Sequence, residues 1–255
     1  MDEIRFLDLE VHSAYENMAI DEAVLGSIAK GKSPPTLRFY RWRPSAVSIG
    51  IFQSLSDEVD TVYCSKTGVD YVRRLTGGGA VYHDYEGEIT YSIIIPKDHR
   101  LYEDDILKSY RQICKGIIRS LQILGIDAEF KPINDVVTNG RKISGNAQTR
   151  RQSCLLQHGT TLLDLDVATM FSVLRVSEEK ISDKMIAGVH DRVTSVRREL
   201  QSQTGIEEMR DALEQGFSEA LNFDFITGAL TREEWETAQR LSEEKYSSSE
   251  WNESR

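Results

Sequence analysis

Three consecutive glycines, Gly77 to Gly79, constrain most strongly how this chain can fold. They remove every Cβ from a turn, so the backbone can take positive φ angles and bring its N–H groups against a bound group. Arg73 and Arg74 precede the glycines, and a His-Asp pair follows after Val81 and Tyr82, which read as the start of a strand. We therefore predict an anion-binding loop between two strands, and a glycine-rich hairpin with solvated charges is the simpler alternative.

The glycine loop does not match the common nucleotide-binding signatures. The P-loop requires G-x-x-x-x-G-K-[ST], and the dinucleotide fingerprint requires G-x-G-x-x-G at the start of a helix. The chain has neither pattern, so a nucleotide held by this loop would belong to a different class of site.

A second stretch with candidate functional residues covers residues 131–163. It contains Asn139-Gly140, the preferred dipeptide of a two-residue type I′ hairpin turn, which predicts that Lys142 lies on a rigid strand. Basic residues outnumber acids in residues 131–151, whereas the whole chain has a formal charge of -10. We therefore expect a small anionic ligand rather than a nucleic acid. From this stretch alone, Lys142 could equally be an ordinary lysine at a strand end.

Composition indicates one large domain without disulfides. The chain has 255 residues, of which 40% are hydrophobic, enough for a sizeable core. Cys64, Cys114 and Cys154 are odd in number and form no C-x-x-C pair, so neither a disulfide framework nor a cysteine zinc site is indicated. The first ten residues are too acidic for a signal peptide, and no apolar run approaches the ~18 residues of a membrane span. We expect a cytoplasmic protein.

The apolar patterns predict a single mixed α/β domain over residues 1–255. Strands are predicted at residues 4–11, 36–42, 46–51, 69–74, 88–95 and 153–163, with a hairpin around residues 134–144. Helices are predicted from residue 17 to about 31 and over residues 57–66, 106–124, 166–174 and 206–221. A further helix begins at Thr231, and residues 225–255 are expected to form a helical tail that docks on the domain.

The motifs on these elements resemble those of the lipoate-protein ligase A family. They are R-R-x-x-G-G-G-A-V-Y-H-D at 73–84, N-D at 134–135, R-K-I-S-G-N-A-Q at 141–148 and H-G-T-x-L-L at 158–163. N-M-A-I-D-E at 17–22, R-V-T at 192–194 and E-W-N at 250–252 extend the resemblance over nearly the whole chain. The resemblance implies the fold of biotin and lipoate ligases, an α/β (α+β) fold with a mixed, largely antiparallel sheet flanked by helices.

The resemblance also implies an ATP-dependent reaction. In that family lipoate, ATP and Mg²⁺ give lipoyl-AMP, and a lysine of a lipoyl carrier domain then attacks the mixed anhydride. The implied carriers are lipoyl domains of 2-oxoacid dehydrogenase E2 subunits and the glycine cleavage H protein. The chain stops where the family's large domain closes, so the small accessory domain is expected to be absent and a separate small subunit is a candidate partner.

The resemblance further implies a set of site residues. Lys142 matches the family's essential lysine, whose ammonium can neutralise both a carboxylate and an α-phosphate. The implied ATP- and lipoyl-AMP-binding residues are Arg73, Arg74, Gly77, Gly78, Gly79, Ala80, Val81, Tyr82, His83, Asn134, Asp135, Lys142, Gly145, Ala147 and His158. Asp135 is also a candidate Mg²⁺ ligand, and equally a local hydrogen-bonding residue. His83 and His158 could equally be structural histidines.

Two other functions remain open alternatives. An octanoyltransferase of the same fold moves an octanoyl group from acyl carrier protein through a cysteine thioester, which needs an accessible thiolate. Cys154, close in sequence to Lys142 and His158, is the candidate for that role, since Cys114 falls on an apolar stripe. A non-catalytic subunit that binds lipoate or an adenylate is the second alternative. We favour the ligase because Asn134-Asp135 stands where the ligases have it.

Overall fold

The structure is a computed structural model that describes residues 2–175 and 188–255. Its strands are β1 (Asp2–His12), β2 (Thr36–Trp42), β3 (Ala46–Ile49), β4 (Asp70–Arg73), β5 (Val81–His83), β6 (Glu88–Pro96), β7 (Glu129–Lys131), β8 (Asp135–Thr138), β9 (Arg141–Arg151), β10 (Cys154–Leu162) and β11 (Phe223–Thr227). Its helices are α1 (Ala14–Ala29), α2 (Leu55–Glu58), α3 (Thr61–Thr67), α4 (Ile106–Ile123), α5 (Val167–Val173), α6 (Val196–Leu200), α7 (Ile206–Leu221), α8 (Arg232–Leu241) and α9 (Ser249–Asn252), with a π-helical turn at Ser242–Tyr246.

Within the described residues the strands form two sheets. The large sheet has the order β11-β1-β2-β6-β10-β9-β8-β7, and the small sheet has the order β4-β3-β5. In the large sheet the two pairings of β1 are parallel and the other pairings are antiparallel. The mixed, largely antiparallel α/β fold implied by the resemblance is therefore confirmed.

The central strands of the large sheet are buried on both faces, which explains their nearly continuous apolar sequence. Along β6, Tyr91, Ile93 and Ile95 pack with α4 and α7 on one face, whereas Ile94 packs with α1 on the other. This alternation follows from the two-residue repeat of a strand. The core therefore consists of two layers, one on each side of the sheet.

Local sequence signals explain several element boundaries. Asn139 and Gly140 have φ angles of 50° and 76°, both positive as a type I′ turn requires, so the predicted hairpin is confirmed. Helix α1 begins three residues before the predicted start, because Ser13 caps it and the Glu16 side chain returns to the Ser13 backbone. Among the described residues, no helix is both long and apolar enough to cross a membrane.

The chain changes sheet twice near the glycine loop. It passes from β2 in the large sheet to β3 in the small sheet, and from β5 in the small sheet back to β6 in the large sheet. Side chains near these crossings can therefore meet across the gap between the sheets. Residues on β3, β5 and β6 are brought together in this way.

Helices α4 and α7 approach closely at two glycines. A Cβ on Gly216 would lie 2.6 Å from the Cα of Ser120, and a Cβ on Gly116 would lie 2.6 Å from the Phe217 ring. Because backbone cannot move aside as a flexible side chain can, the Gly216 position requires the absence of a side chain.

We expect Gly216→Ala to lower the free energy of unfolding by about 1–3 kcal/mol, because the added methyl overpacks the interface of α4 and α7. Urea denaturation followed by circular dichroism measures this change. Gly26→Ala is the matched control, since a Cβ on Gly26 in α1 would meet no atom within 4 Å. Equal stability of the two variants would contradict this packing.

Candidate functional site

A cavity of about 320 Å³ lies between the small sheet and strands β2, β6, β9 and β10 of the large sheet. The predicted site residues that line it are Arg74, Gly78, Gly79, Ala80, Val81, Tyr82, His83, Asn134, Lys142, Gly145, Ala147 and His158. Its apolar surface also includes Met18, Trp42, Leu162, Met170, Leu174 and Val193. The structure thus brings the glycine stretch and the lysine stretch to one cavity, although their lining residues are more than 50 positions apart in the sequence.

The glycine loop is held from behind by the buried guanidinium of Arg74. Its Nη2 donates to the carbonyls of Gly77 and Gly79 at 2.7 and 2.8 Å. Its Nη1 donates to the carbonyl and hydroxyl oxygens of Ser48, and its Nε donates to the hydroxyl of Thr76. Burial lowers the pKa of Arg74 to about 10, so the group remains a cation at neutral pH. The loop shape therefore depends on one buried positive charge.

Lys142 is fixed through its backbone and has a half-exposed side chain. Its N–H donates to the carbonyl of Arg192, and its carbonyl accepts from the N–H of Thr194. The ammonium Nζ lies 2.7 Å from Oδ1 of Asp135, and 40% of the lysine side chain is exposed. A Cβ on Gly145 would lie 2.7 Å from Nζ, so the lysine occupies space that only a glycine leaves free. The ammonium is thus available to a ligand in the cavity.

Two asparagines join β9 to the segment before β8. The side-chain amide of Asn146 donates to the carbonyl of Asn134 at 2.9 Å, and Asn134 donates in return to the carbonyl of Asn146. The Asn146 side-chain oxygen also accepts from the hydroxyl of Tyr91 at 2.7 Å. This network orients the strand that carries Lys142 and Gly145.

His158 belongs to a buried polar cluster beside the cavity. Its Nε2 lies 2.7 Å from the hydroxyl of Thr76, and its Nδ1 lies 3.5 Å from Asp21. Burial lowers the pKa of His158, although Asp21 partly opposes this effect. Burial alone would raise the pKa of Asp21, but His158 and Arg38 together hold it below its usual value. His158 is therefore a neutral imidazole at neutral pH.

His83 lines the cavity, and both nitrogens of its ring are hydrogen-bonded. Its Nε2 is 2.8 Å from the hydroxyl of Ser48, and its Nδ1 is 2.7 Å from Oε1 of Glu88. The ring stacks on Trp42 at a centroid distance of 4.1 Å. Sequence analysis missed the Ser48 and Glu88 partners because they lie on different strands with no recognisable spacing.

Three predicted site residues do not line the cavity. Arg73 is fully buried and donates to the carbonyls of Gln53, Trp251 and Asn252, so it anchors the C-terminal helices rather than facing a ligand. Gly77 and Asp135 also lie outside the lining residues. Arg73 therefore stabilises the strand that leads into the glycine loop.

Asp135 has too few neighbouring ligands, among the described residues, to form a metal site with them. Among the described residues, no group of three or more His, Cys, Asp and Glu side chains is placed to hold a metal ion. The Asp135 carboxylate is instead paired with Lys142. The role of Asp135 at Mg²⁺ stays a prediction, and we derive no chemical step through Mg²⁺.

The three cysteines all lie away from the cavity. Cys114 is in the core between α4 and the large sheet, and Cys64 packs on the small sheet. Cys154 begins β10, roughly 13 Å along the strand from His158. Burial raises the pKa of all three thiols, that of Cys64 to about 11. None of them lines the cavity with Lys142.

Comparison with known proteins identifies relatives along nearly the whole chain. The model of the lipoyl protein ligase A/B catalytic domain matches residues 13–218. Octanoyltransferase LipM of Oceanobacillus iheyensis is 37% identical over 95% of this chain and 94% of its own length. Octanoyltransferase LipM of Kyrpidia tusciae is 38% identical over 97% of both chains.

Solved structures with the same fold are also similar in sequence. A bi-partite lipoate protein ligase of Thermoplasma acidophilum, described with its E2 lipoyl domain, has a TM-score of 0.87 and 36% identity, over 99% of this chain and 96% of that one. A lipoate-protein ligase A bound with ATP has a TM-score of 0.82 and 34% identity, over 99% of both chains.

These comparisons confirm the predicted family and correct the predicted activity. The relatives above are named octanoyltransferases, and other similar proteins from several bacteria carry the same name. The prediction of an ATP-dependent lipoate ligase as the main activity is therefore wrong, and the octanoyltransferase alternative is better supported.

We expect the free energy of unfolding to fall as the pH is lowered from about 7 to 5. The unfolded chain takes up a proton at His158 near its ordinary pKa of about 6.5, whereas the folded chain, whose His158 pKa is lowered, does not. Urea denaturation at both pH values measures the decrease. His158→Gln should show a smaller decrease, with His99 supplying part of the remainder because burial lowers its pKa too. An unchanged decrease in the variant would contradict a neutral buried His158.

Proposed function

The chain belongs to the lipoyl protein ligase A/B catalytic-domain family, and on this premise we propose that it moves an octanoyl group from a thioester donor to a lysine of a lipoyl domain. The observation that carries the proposal is the full-length similarity to proteins named octanoyltransferases. That similarity includes the segments that form the cavity, because it spans at least 95% of this chain.

The cavity supports the proposal through its chemistry. Met18, Met170 and Leu174 provide an apolar wall, and flexible methionines adapt well to a hydrocarbon chain. Arg74 and Lys142 place two cations in the same cavity, where they can stabilise the negative charge that develops on an acyl carbonyl oxygen. An apolar acyl chain and a reacting carbonyl are thus both accommodated.

The proposed acceptor is a lipoyl domain. The Thermoplasma acidophilum relative is described with its E2 lipoyl domain, so we propose E2 lipoyl domains, and also the glycine cleavage H protein, as acceptors here. The half-exposed Lys142 marks the side on which an incoming lysine can reach the acyl group. We also propose that the chain works as one catalytic domain. The helical tail expected at residues 225–255 begins later than predicted, because residues 225–227 belong to β11 and pair with β1. The end of the tail docks through the contacts of Arg73 with Trp251 and Asn252.

The route through a cysteine thioester is not supported in this chain. Cys154, the candidate from sequence, lies outside the cavity, and burial raises its pKa. The thiolate form needed for attack is therefore disfavoured at neutral pH. We propose that the acyl group reaches the lipoyl domain without passing through a cysteine.

Incubation with octanoyl-acyl carrier protein and a lipoyl domain tests the proposal directly. We expect the lipoyl domain to gain one octanoyl group without ATP, as measured by mass spectrometry, and a lipoyl domain without its acceptor lysine to gain none. Cys154→Ser should transfer at the wild-type rate. A parallel reaction supplies lipoate, ATP and Mg²⁺, with and without a candidate small subunit, and tests for ATP-dependent modification of the lipoyl domain. Modification only in that parallel reaction would overturn the proposal.

We expect Gly145→Ala to slow transfer by about ten- to a hundredfold, because its Cβ would displace the ammonium of Lys142. Lys142→Ala should cost about 3 kcal/mol or more of transition-state stabilisation. Steady-state rates of carrier octanoylation measure both effects. Gly205→Ala is the control, since a Cβ there would meet no atom within 4 Å. Wild-type rates in Gly145→Ala would show that the transfer rate does not depend on the position of the Lys142 ammonium.

A further inference from the structure

Asp21 is the buried end of a chain of polar side chains that reaches the glycine loop. It lies on α1 in the N-M-A-I-D-E stretch, is 2% exposed and does not line the cavity. Its Oδ2 lies 3.5 Å from Nδ1 of His158, and Nε2 of the same ring lies 2.7 Å from the Thr76 hydroxyl. That hydroxyl accepts from Nε of Arg74 at 3.1 Å, and Arg74 binds the loop carbonyls. Four side chains thus connect α1 with the loop beside the cavity.

The two ends of this chain determine which way its protons point. A guanidinium only donates, so the Thr76 oxygen accepts from Arg74 and its single proton is free for Nε2 of His158. At the other end, Nδ1 of His158 is buried, with Asp21 at 3.5 Å and no shorter hydrogen bond among the described residues. A lone pair on Nδ1 would be repelled by the carboxylate, whereas an N–H is attracted to it. Both ends therefore require the same tautomer, with the proton of His158 on Nδ1.

The two oxygens of Asp21 have different neighbours. Oδ1 accepts from the hydroxyl of Ser92 at 2.8 Å and from Arg38 at 3.2 Å. Oδ2 accepts from the hydroxyl of Tyr40 at 3.3 Å and faces His158. Arg38 is buried and supplies the positive charge that an ionised carboxylate needs inside the protein. The oxygen that faces His158 is therefore not the one that forms the ion pair.

The chain fixes the plane of the Arg74 guanidinium. The two Nη atoms bind the loop carbonyls and Ser48, and the Thr76 hydroxyl is the acceptor for Nε. Without that acceptor, a buried N–H of the cation would lose its partner, which is costly enough to displace the side chain. Because His158 and Thr76 separate Asp21 from Arg74, the carboxylate orients the cation without neutralising it by direct contact.

We propose that Asp21 is a positioning residue of the acyl-transfer site, which acts through His158 and Thr76 to hold Arg74 and the glycine loop in the geometry for reaction. The kinetic part of this inference rests on the proposed octanoyl transfer. Negative charge develops on the acyl carbonyl oxygen only as the reaction proceeds, so a displaced Arg74 cation should lower kcat more than it changes KM. Asp21 itself touches no reacting atom.

The tautomer of His158 is the direct test. Nuclear magnetic resonance of protein with isotope-labelled histidine distinguishes a protonated ring nitrogen from an unprotonated one, and His158→Gln identifies the His158 signals among the five histidines. We expect the proton on Nδ1 in the wild type near neutral pH. In Asp21→Asn, Arg38 retains the amide oxygen and the amide nitrogen turns toward His158, so the proton should move to Nε2. A wild-type tautomer in folded Asp21→Asn would overturn the role of Asp21.

A matched pair of variants at Thr76 separates the hydrogen bond from packing. Thr76→Val keeps the shape of the side chain and removes the hydroxyl, whereas Thr76→Ser keeps the hydroxyl. We expect Thr76→Val to lower kcat for carrier octanoylation by about ten- to a hundredfold, with KM for octanoyl-acyl carrier protein changed by less than about threefold. Thr76→Ser should stay within about threefold of the wild-type kcat. Ser120→Ala, which removes a buried hydroxyl from α4 outside the cavity lining, should match the wild type.

Hydrogen exchange of the glycine loop measures its positioning without any substrate. The amides of Gly77 to Gly79 should exchange about tenfold faster or more in Thr76→Val and in Asp21→Asn than in the wild type, as measured by mass spectrometry of peptides. Thr76→Ser should restore the slower exchange. Circular dichroism and thermal melting verify that each variant is folded. Wild-type exchange of the loop in both folded variants would overturn the inference.

The outcomes distinguish this inference from the proposed function. Failure of the wild type to octanoylate any lipoyl domain would overturn the proposed function, and the His158 tautomer and the loop exchange would still decide the role of Asp21. Carrier octanoylation by the wild type, together with a wild-type kcat in folded Asp21→Asn and Thr76→Val, would overturn the role of Asp21 and leave the transfer activity intact. A raised KM with unchanged kcat in these variants would also overturn it, because the chain would then serve substrate binding alone.

Discussion

The buried guanidinium of Arg74 determines the shape of the site. It binds the glycine loop, the hydroxyl of Thr76 and the backbone and hydroxyl of Ser48, and among the described residues all of these acceptors are neutral. A carboxylate partner would have cancelled its charge and held its pKa high, whereas here burial lowers the pKa to about 10. The positive charge therefore remains available to negative charge in the cavity, and the loop cannot change shape without leaving that cation unsatisfied.

The two sheets supply different parts of the site. The small sheet carries Ser48 and His83 on diagonal positions of neighbouring strands, and the large sheet carries Glu88 and Lys142. Because the chain crosses between the sheets directly after His83, the four residues between His83 and Glu88 suffice to bring these two side chains within hydrogen-bond distance. A rigid core on both faces of the large sheet keeps these side chains in register.

Short sequence motifs predict part of the site. The rest depends on contacts between residues that are far apart in the sequence. Asn139-Gly140 specifies its turn through two residues, so the hairpin that carries Lys142 could be predicted. Arg73 stands beside the glycine loop in sequence, but its partners are near residue 252, which no local pattern reveals. The contacts of Ser48 could not be predicted, because its partners His83 and Arg74 lie far from it in the sequence and no motif connects them. The activity was mispredicted because a relative named an octanoyltransferase and a ligase bound with ATP are almost equally similar to this chain, at 37% and 34% identity, so overall resemblance does not separate the two activities.

The hydrogen bond from Arg73 to the carbonyl of Asn252 spans 179 positions of the chain. The same guanidinium also binds the carbonyls of Gly50 and Gln53 directly behind the glycine loop. The last described helix therefore helps to hold the strand that leads into the glycine loop, and a truncation before Asn252 would leave a buried guanidinium short of an acceptor.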